Sequence, residues 1–129
     1  MRVLLDTQVW LWMLAAPERL AAATRTLVTA PDNELLLSAA SAWEIAIKYS
    51  LGKLRLPDAP EHVVPQLMAQ TGVVPLPVLH RHALHVATLP QKHGDPFDRL
   101  LVAQAQIEGL PILSSDPAFR LYDVKLLAA

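Results

Sequence analysis

Four carboxylates stand where apolar stretches begin or end: Asp6 in VLLDT, Glu44 in SAWEIAIK, Asp98 in DPFDRLL and Asp116 in SSDPAF. All four offer hard oxygen donors, the ligand type that suits Mg2+ or Mn2+. The sequence has no cysteine, so any metal is held by oxygen or imidazole. Octahedral Mg2+ takes one or two carboxylates and keeps its waters, which leaves positions for a phosphate. Two such ions can activate a water and stabilise the leaving oxygen of a phosphodiester. The chemistry on offer is metal-assisted phosphodiester hydrolysis.

Each acid also has a structural use available. Asp116 precedes Pro117, which suits an N-cap with proline at the first helical position. Asp6 can cap the helix after it, although Thr7 offers the same service. Ser41-Ala42-Trp43-Glu44 matches a capping box, in which the Glu reaches back to the cap amide. Glu44 also precedes Lys48 in the favoured order for an ion pair one helical turn apart. At about 100° per residue, Ser41, Glu44 and Lys48 share a stripe roughly 60° wide. That stripe suits either a solvated face or the wall of a cleft.

Asp95-Pro96-Phe97-Asp98 supplies an N-cap, a proline and an acid in the first turn. On a helical wheel the polar side of this helix is Arg99 and Gln106. Asp98 lies roughly 80–100° away from them, among Leu101, Val102 and Ala105. An unpaired carboxylate on an apolar arc is costly or protonated, and a divalent cation removes that cost. Asp95 is therefore read as the cap and Asp98 as the site acid. Among the histidines, His80, His82 and His85 share one helix without an acid or cysteine at ligand spacing, and are read as core or surface residues. His93 stands just ahead of the site helix, where it could assist a phosphate or be structural.

The elements that must position these acids are short apolar runs alternating with helices. Strands are expected at 2–5, 34–38, around 73–74, at 110–113 and, as an edge, at 124–127. Helices are expected at 9–16 (apolar on all sides, hence buried), 21–30, 40–51, 60–71 (kinked at or beginning from Pro65), 79–89, from Pro96 onward, and 117–122. Gly52 stands at the stop position of the third helix. Such alternation indicates a parallel sheet covered on both faces. In such folds ligands bind beyond the carboxyl ends of the strands, which is where Asp6 and Asp116 fall.

The totals suit a single domain over residues 1–129: 53% of residues are hydrophobic and 18% charged. The apolar N-terminus is interrupted by Asp6-Thr7-Gln8, and the remaining run is too short for a bilayer, which needs about 20 residues. A soluble, untargeted, cytoplasmic protein is expected, with no membrane partner. The net charge of −1 is not that of a non-specific nucleic-acid binder. If phosphates are handled, bound cations or a partner must supply the positive charge.

Taken in order, VLLDTQVWLW, LSAASAWEIAIKYSLGKL, LPQKHGDPFDRLLVAQA and PILSSDPAF resemble the PIN-domain nucleases, and most closely the VapC-like toxin ribonucleases of bacterial toxin–antitoxin pairs. The resemblance implies an α/β fold, a three-layer α/β/α sandwich with a central, mainly parallel sheet. It implies an acidic pocket that binds Mg2+ or Mn2+ and cleaves RNA. By position, Asp6, Glu44 and Asp98 are the central acids and Asp116 the fourth. Thr7 and Ser114 match hydroxyl positions, with Ser114 where the family often has Thr. Lys48 and Arg99 match basic positions that orient acids or meet the RNA backbone. The resemblance further implies a homodimer and a small antitoxin partner. The mean hydropathy of +0.30 is compatible with surface hidden by association. Two other readings are weighed against this one. A non-catalytic module would keep the fold and only bind RNA or a partner. An aspartate phosphatase would need a second acid two residues after Asp6, where Gln8 stands.

Overall fold

Val3-Leu4-Leu5 is apolar on both faces, and it forms β1 (Arg2–Leu5), the middle strand of five. The structure, a computed structural model, describes residues 1–129. Along the sheet the order is β3 (Val74–Leu76), β2 (Glu34–Ser38), β1, β4 (Ile112–Ser114), β5 (Leu126–Ala128). Every pairing is parallel, so the sheet is wholly rather than mainly parallel. All strand carboxyl ends therefore share one edge.

Helices fill the connections: α1 (Thr7–Ala15), α2 (Ala22–Thr29), α3 (Ala39–Ser50), α4 (Pro60–Thr71), α5 (His80–His85) and α6 (Pro96–Glu108). Side-chain alternation along the strands divides the core into two layers. Val3, Leu5, Leu35, Leu37 and Leu113 pack against α1, α3 and α4 through Val9, Trp10, Ile45, Val63 and Val64. Leu4, Leu36, Leu76 and Ile112 face the other way, onto Leu101, Val102 and Ala105 of α6 and onto Phe119 and Tyr122. Each of these leucines contributes roughly 1.5–3 kcal/mol by leaving water. The result is the expected α/β/α sandwich.

Several boundaries differ from expectation. Helix α1 is not buried all round: Thr7, Val9 and Trp10 are buried, but Trp12 is only half-covered and lies under the Arg19 guanidinium, 5.6 Å from its ring centre. The helix also starts before the apolar run, because Asp6 supplies its extended N-terminal residue. Helix α4 begins at Pro60 and continues through Pro65, which lies inside it. The expected 79–89 helix is α5 followed by a 3-10 turn at 86–88, and the segment after Asp116 is also 3-10. No helix is long and apolar enough to cross a membrane.

Candidate active site

Strands β1, β2 and β3 step one way across the sheet, and β4 and β5 step the other way. The reversal lies between β1 and β4, and open parallel sheets bind ligands at the carboxyl ends beside such a reversal. Asp6 follows β1 directly, and its amide donates to the Leu113 carbonyl of β4 at 3.0 Å. Ser114 closes β4 and donates its hydroxyl to Asp6 Oδ2 at 2.7 Å. The Asp116 amide in turn donates to Ser114 Oγ at 2.9 Å. One buried serine thus fixes two of the acids.

Neither capping alternative for α1 occurs: Asp6 makes no side-chain cap bond, and Thr7 instead donates to Ser41 Oγ at 2.8 Å. The Ser41–Glu44 capping box does not form either. Helix α3 starts earlier, with Ser38 accepting from the Ala40 amide at 3.0 Å, so Ser41 lies inside the helix and ties α3 to α1. Relieved of capping, Glu44 is nearly buried, at 8% exposure, and receives Lys48 Nζ at 2.8 Å. The stripe of Ser41, Glu44 and Lys48 is therefore not a solvated face: Ser41 and Glu44 are buried and only the lysine is half-exposed.

Asp95 caps α6, accepting from the Phe97 amide at 2.9 Å and the Asp98 amide at 3.1 Å. Replacing it with Ala is expected to cost about 1 kcal/mol, and with Asn far less, because Asn caps nearly as well. Urea melts of the two variants measure the difference. Asp116 caps as well, Oδ1 accepting from the Ala118 amide at 2.9 Å. Its charge nevertheless reaches the site, since it raises the pKa of both Asp6 and Asp98.

Asp98 has no such partner. Burial, followed by repulsion from Asp95, Asp6, Glu44 and Asp116, pushes its carboxyl up to about 8. Asp6 is also raised, chiefly by burial, with the Ser114 hydrogen bond opposing and Glu44 and Asp116 adding to the shift. Acids from four separate segments therefore feel one another at one end of the sheet. Lys48 is raised in return, first by its hydrogen bond to Glu44, with Asp95 and Asp6 contributing.

Arg99 departs from expectation. It neither contacts the acids nor faces solvent. It is buried, with Nη1 donating to the Pro90 carbonyl at 2.8 Å and the Tyr122 hydroxyl at 3.1 Å, and Nη2 donating to the Val86 carbonyl at 3.4 Å. A guanidinium has enough donors to satisfy several loop acceptors at once, so this one braces the loop ahead of α6. His82 is a core residue whose Nδ1 accepts the Leu79 amide, with Nε2 2.8 Å from Glu108 Oε1. His85 meets Gln106. Tyr122, which gathers Arg99 and His93, gave no signal in the sequence beyond being aromatic.

A divalent cation fits this donor set in one way only. No three acidic or imidazole side chains form a ready cage. Mg2+ and Mn2+ do not need one, since they keep several waters and take one or two carboxylates directly. The clustered acids have a single lysine among them, and Asp98 is half-buried without a hydrogen bond of its own. That imbalance is what a cation corrects. The roomier grooves, of about 470 and 560 Å3, lie along α4 and are not lined by these acids. Charge rather than depth marks the site.

The sequence pattern of the PIN domain matches residues 3–125, nearly the whole chain. The chain belongs to the PIN-domain family. Its similarity to ribonuclease VapC16 of Mycobacterium tuberculosis is 52% identity over 62 residues. That stretch is 48% of this chain and 44% of VapC16, so the match spans less than half of the relative's length. Among solved structures, the PIN fold here overlays VapBC2 from Rickettsia felis, bound to a DNA fragment from its promoter, with a TM-score of 0.75. The overlay covers 99% of this chain and 98% of that one at 12% identity. FitAcB from Neisseria gonorrhoeae gives a TM-score of 0.66 at 23% identity, covering 98% and 96%. At these identities the likeness is one of fold.

Proposed function

We propose that this PIN-domain chain is a divalent-metal-dependent endoribonuclease, the toxin of a toxin–antitoxin pair. The observation that carries the reading is the convergence of Asp6, Glu44, Asp98 and Asp116 at the sheet reversal, with Asp98 left without a hydrogen bond. Its similarity to a protein named ribonuclease VapC16 supports the substrate class. The likeness of its fold to chains solved in VapBC and FitAB structures, one of them named as a member of a family of toxin–antitoxin systems, supports a small antitoxin partner. A homodimer accords with the family resemblance.

Asp6, Glu44 and Asp98, with Asp116 beside them, would hold Mg2+ or Mn2+. When bound, the ion supplies Lewis acidity at the phosphate and makes water nucleophilic near neutral pH. The chain's own residues do the positioning. Ser114 holds Asp6 by one oxygen, and Lys48 does the same for Glu44. Lys48 is half-exposed and also presents a positive charge to an incoming RNA backbone. Trp43 is 59% exposed beside Glu44 and meets the edge of Phe97 at 5.2 Å, offering a face on which an unstacked base can rest. Hydrolysis adds water to phosphorus and breaks the bond to the 3′ oxygen, leaving a 5′-phosphate and a 3′-hydroxyl.

The test is incubation of purified protein, free of any antitoxin, with total RNA and Mn2+, with and without EDTA. Cleavage that EDTA abolishes is expected. Protein that binds Mn2+ yet cuts no RNA is a binding module rather than a nuclease.

A further inference from the structure

Resting on the metal-site reading above, we propose that His93 is a positioning residue for Asp98, its ring locked by Tyr122 and Arg99 so that Nε2–H faces the Asp98 carboxylate. The chain of hydrogen bonds has a direction. Arg99 can only donate, so the Tyr122 oxygen accepts from Nη1 at 3.1 Å. The phenol proton is then free to go to His93 Nδ1, which lies 2.6 Å from that oxygen. An imidazole whose Nδ1 accepts carries its proton on Nε2. The tautomer is thus assigned by the network, and it requires no charge on the ring.

His93 Nε2 is buried and has no hydrogen-bond partner. Asp98 Oδ2 lies 3.6 Å from it, too long for a hydrogen bond. A closure of about 0.6 Å would bring the pair to ordinary length. A buried donor without a partner, facing a carboxylate without a donor, is a pair left for a small adjustment to complete. The bond would favour the ionised, oriented carboxylate, the form a divalent cation takes. The anchor is firm: Tyr122 is 6% exposed, its ring 5.3 Å from that of His93, and Arg99 is fixed by two further carbonyls. Buried Arg99 thereby acquires a purpose at the site without touching it.

Partners of this kind to metal ligands typically contribute 10- to 100-fold in metal affinity. Mn2+ affinity measured by electron paramagnetic resonance reads this without RNA, and a thermal melt shows that each variant is folded. His93→Gln places its amide nitrogen near Nε2, whereas His93→Asn places it near Nδ1 and cannot reach Asp98. The expected result is a loss of Mn2+ affinity of about tenfold or more in His93→Ala and His93→Asn, with His93→Gln within about threefold of wild type. Tyr122→Phe should weaken binding while His93 is present, and should cost nothing further once His93 is Asn. Wild-type affinity in His93→Ala overturns the proposal, as does His93→Gln no better than His93→Asn, or a wild-type protein that binds no Mn2+. Mn2+ binding without RNA cleavage defeats the nuclease reading alone and leaves the His93 comparison intact.

Discussion

Replacing Asp98 with Asn is expected to reduce Mn2+-dependent RNA cleavage by about 1000-fold or more, and to raise the melting temperature of the metal-free protein. The two effects come from one cause. Asp98 is half-buried, and Asp95, Asp6, Glu44 and Asp116 all repel its charge. Asn keeps its shape and removes the charge. Two unit charges ~5 Å apart repel by about 3 kcal/mol at an effective dielectric of 20, so relief of even one such pair is measurable. On the proposed reading the same substitution would also remove an oxygen ligand from a cation whose charge stabilisation is worth several kcal/mol, at 1.36 kcal/mol per tenfold in rate. Asp6→Asn should behave alike, although it also loses the Ser114 hydrogen bond as now made. Asn variants that melt no higher than wild type at pH 8 without metal would contradict a crowded acidic pocket.

Divalent metal should flatten the pH dependence of stability. Asp6 and Asp98 both have folded-state pKa values above their ordinary 3.8, Asp98 at about 8. Between those limits the folded chain holds protons that the unfolded chain has released. Stability therefore falls as pH rises from about 4 through 8, and the stability present at low pH is lost. A bound cation requires the ionised carboxylates, so it displaces those protons and binds more tightly as pH rises. At a hundred times its dissociation constant it stabilises by about 2.7 kcal/mol. For a chain of this size that is about 10 °C in melting temperature. Melts at pH 5 and pH 8, with and without Mn2+, should show a small shift at the lower pH and the full one at the higher. Calorimetry in buffers of different ionisation enthalpy should register proton release on binding at pH 7. Equal shifts at both pH values would mean that the ion binds elsewhere.

The fold was legible because its signals are local and redundant. Val3-Leu4-Leu5 and Leu35-Leu36-Leu37 are apolar on both faces, as central parallel strands must be, and the caps at Asp95 and Asp116 follow from the proline beside each. Asp98 was legible as a candidate because it lies on an apolar arc, where a place in the first turn does not offset the cost of an unpaired charge. The misreadings share a different origin. Ser41–Glu44 has the spacing of a capping box, but a helix start is decided by where the preceding strand ends, and Ser38 at the end of β2 takes the cap first. Arg99 was placed on the polar side of its helix because a wheel shows one helix alone. Its acceptors at Val86, Pro90 and Tyr122 come from other segments, which no wheel contains. The link from Tyr122 to His93 spans 29 residues and has no periodicity to betray it.

The claim on which the rest depends is that Asp6 and Asp98, far apart in sequence, hold the same cation. Mn2+ titration of the wild type, Asp6→Asn and Asp98→Asn, each shown to be folded, tests it without any RNA. The expected result is one tight Mn2+ event in the wild type that either substitution weakens by at least tenfold. Wild-type Mn2+ affinity in either variant would show that the two carboxylates do not share an ion.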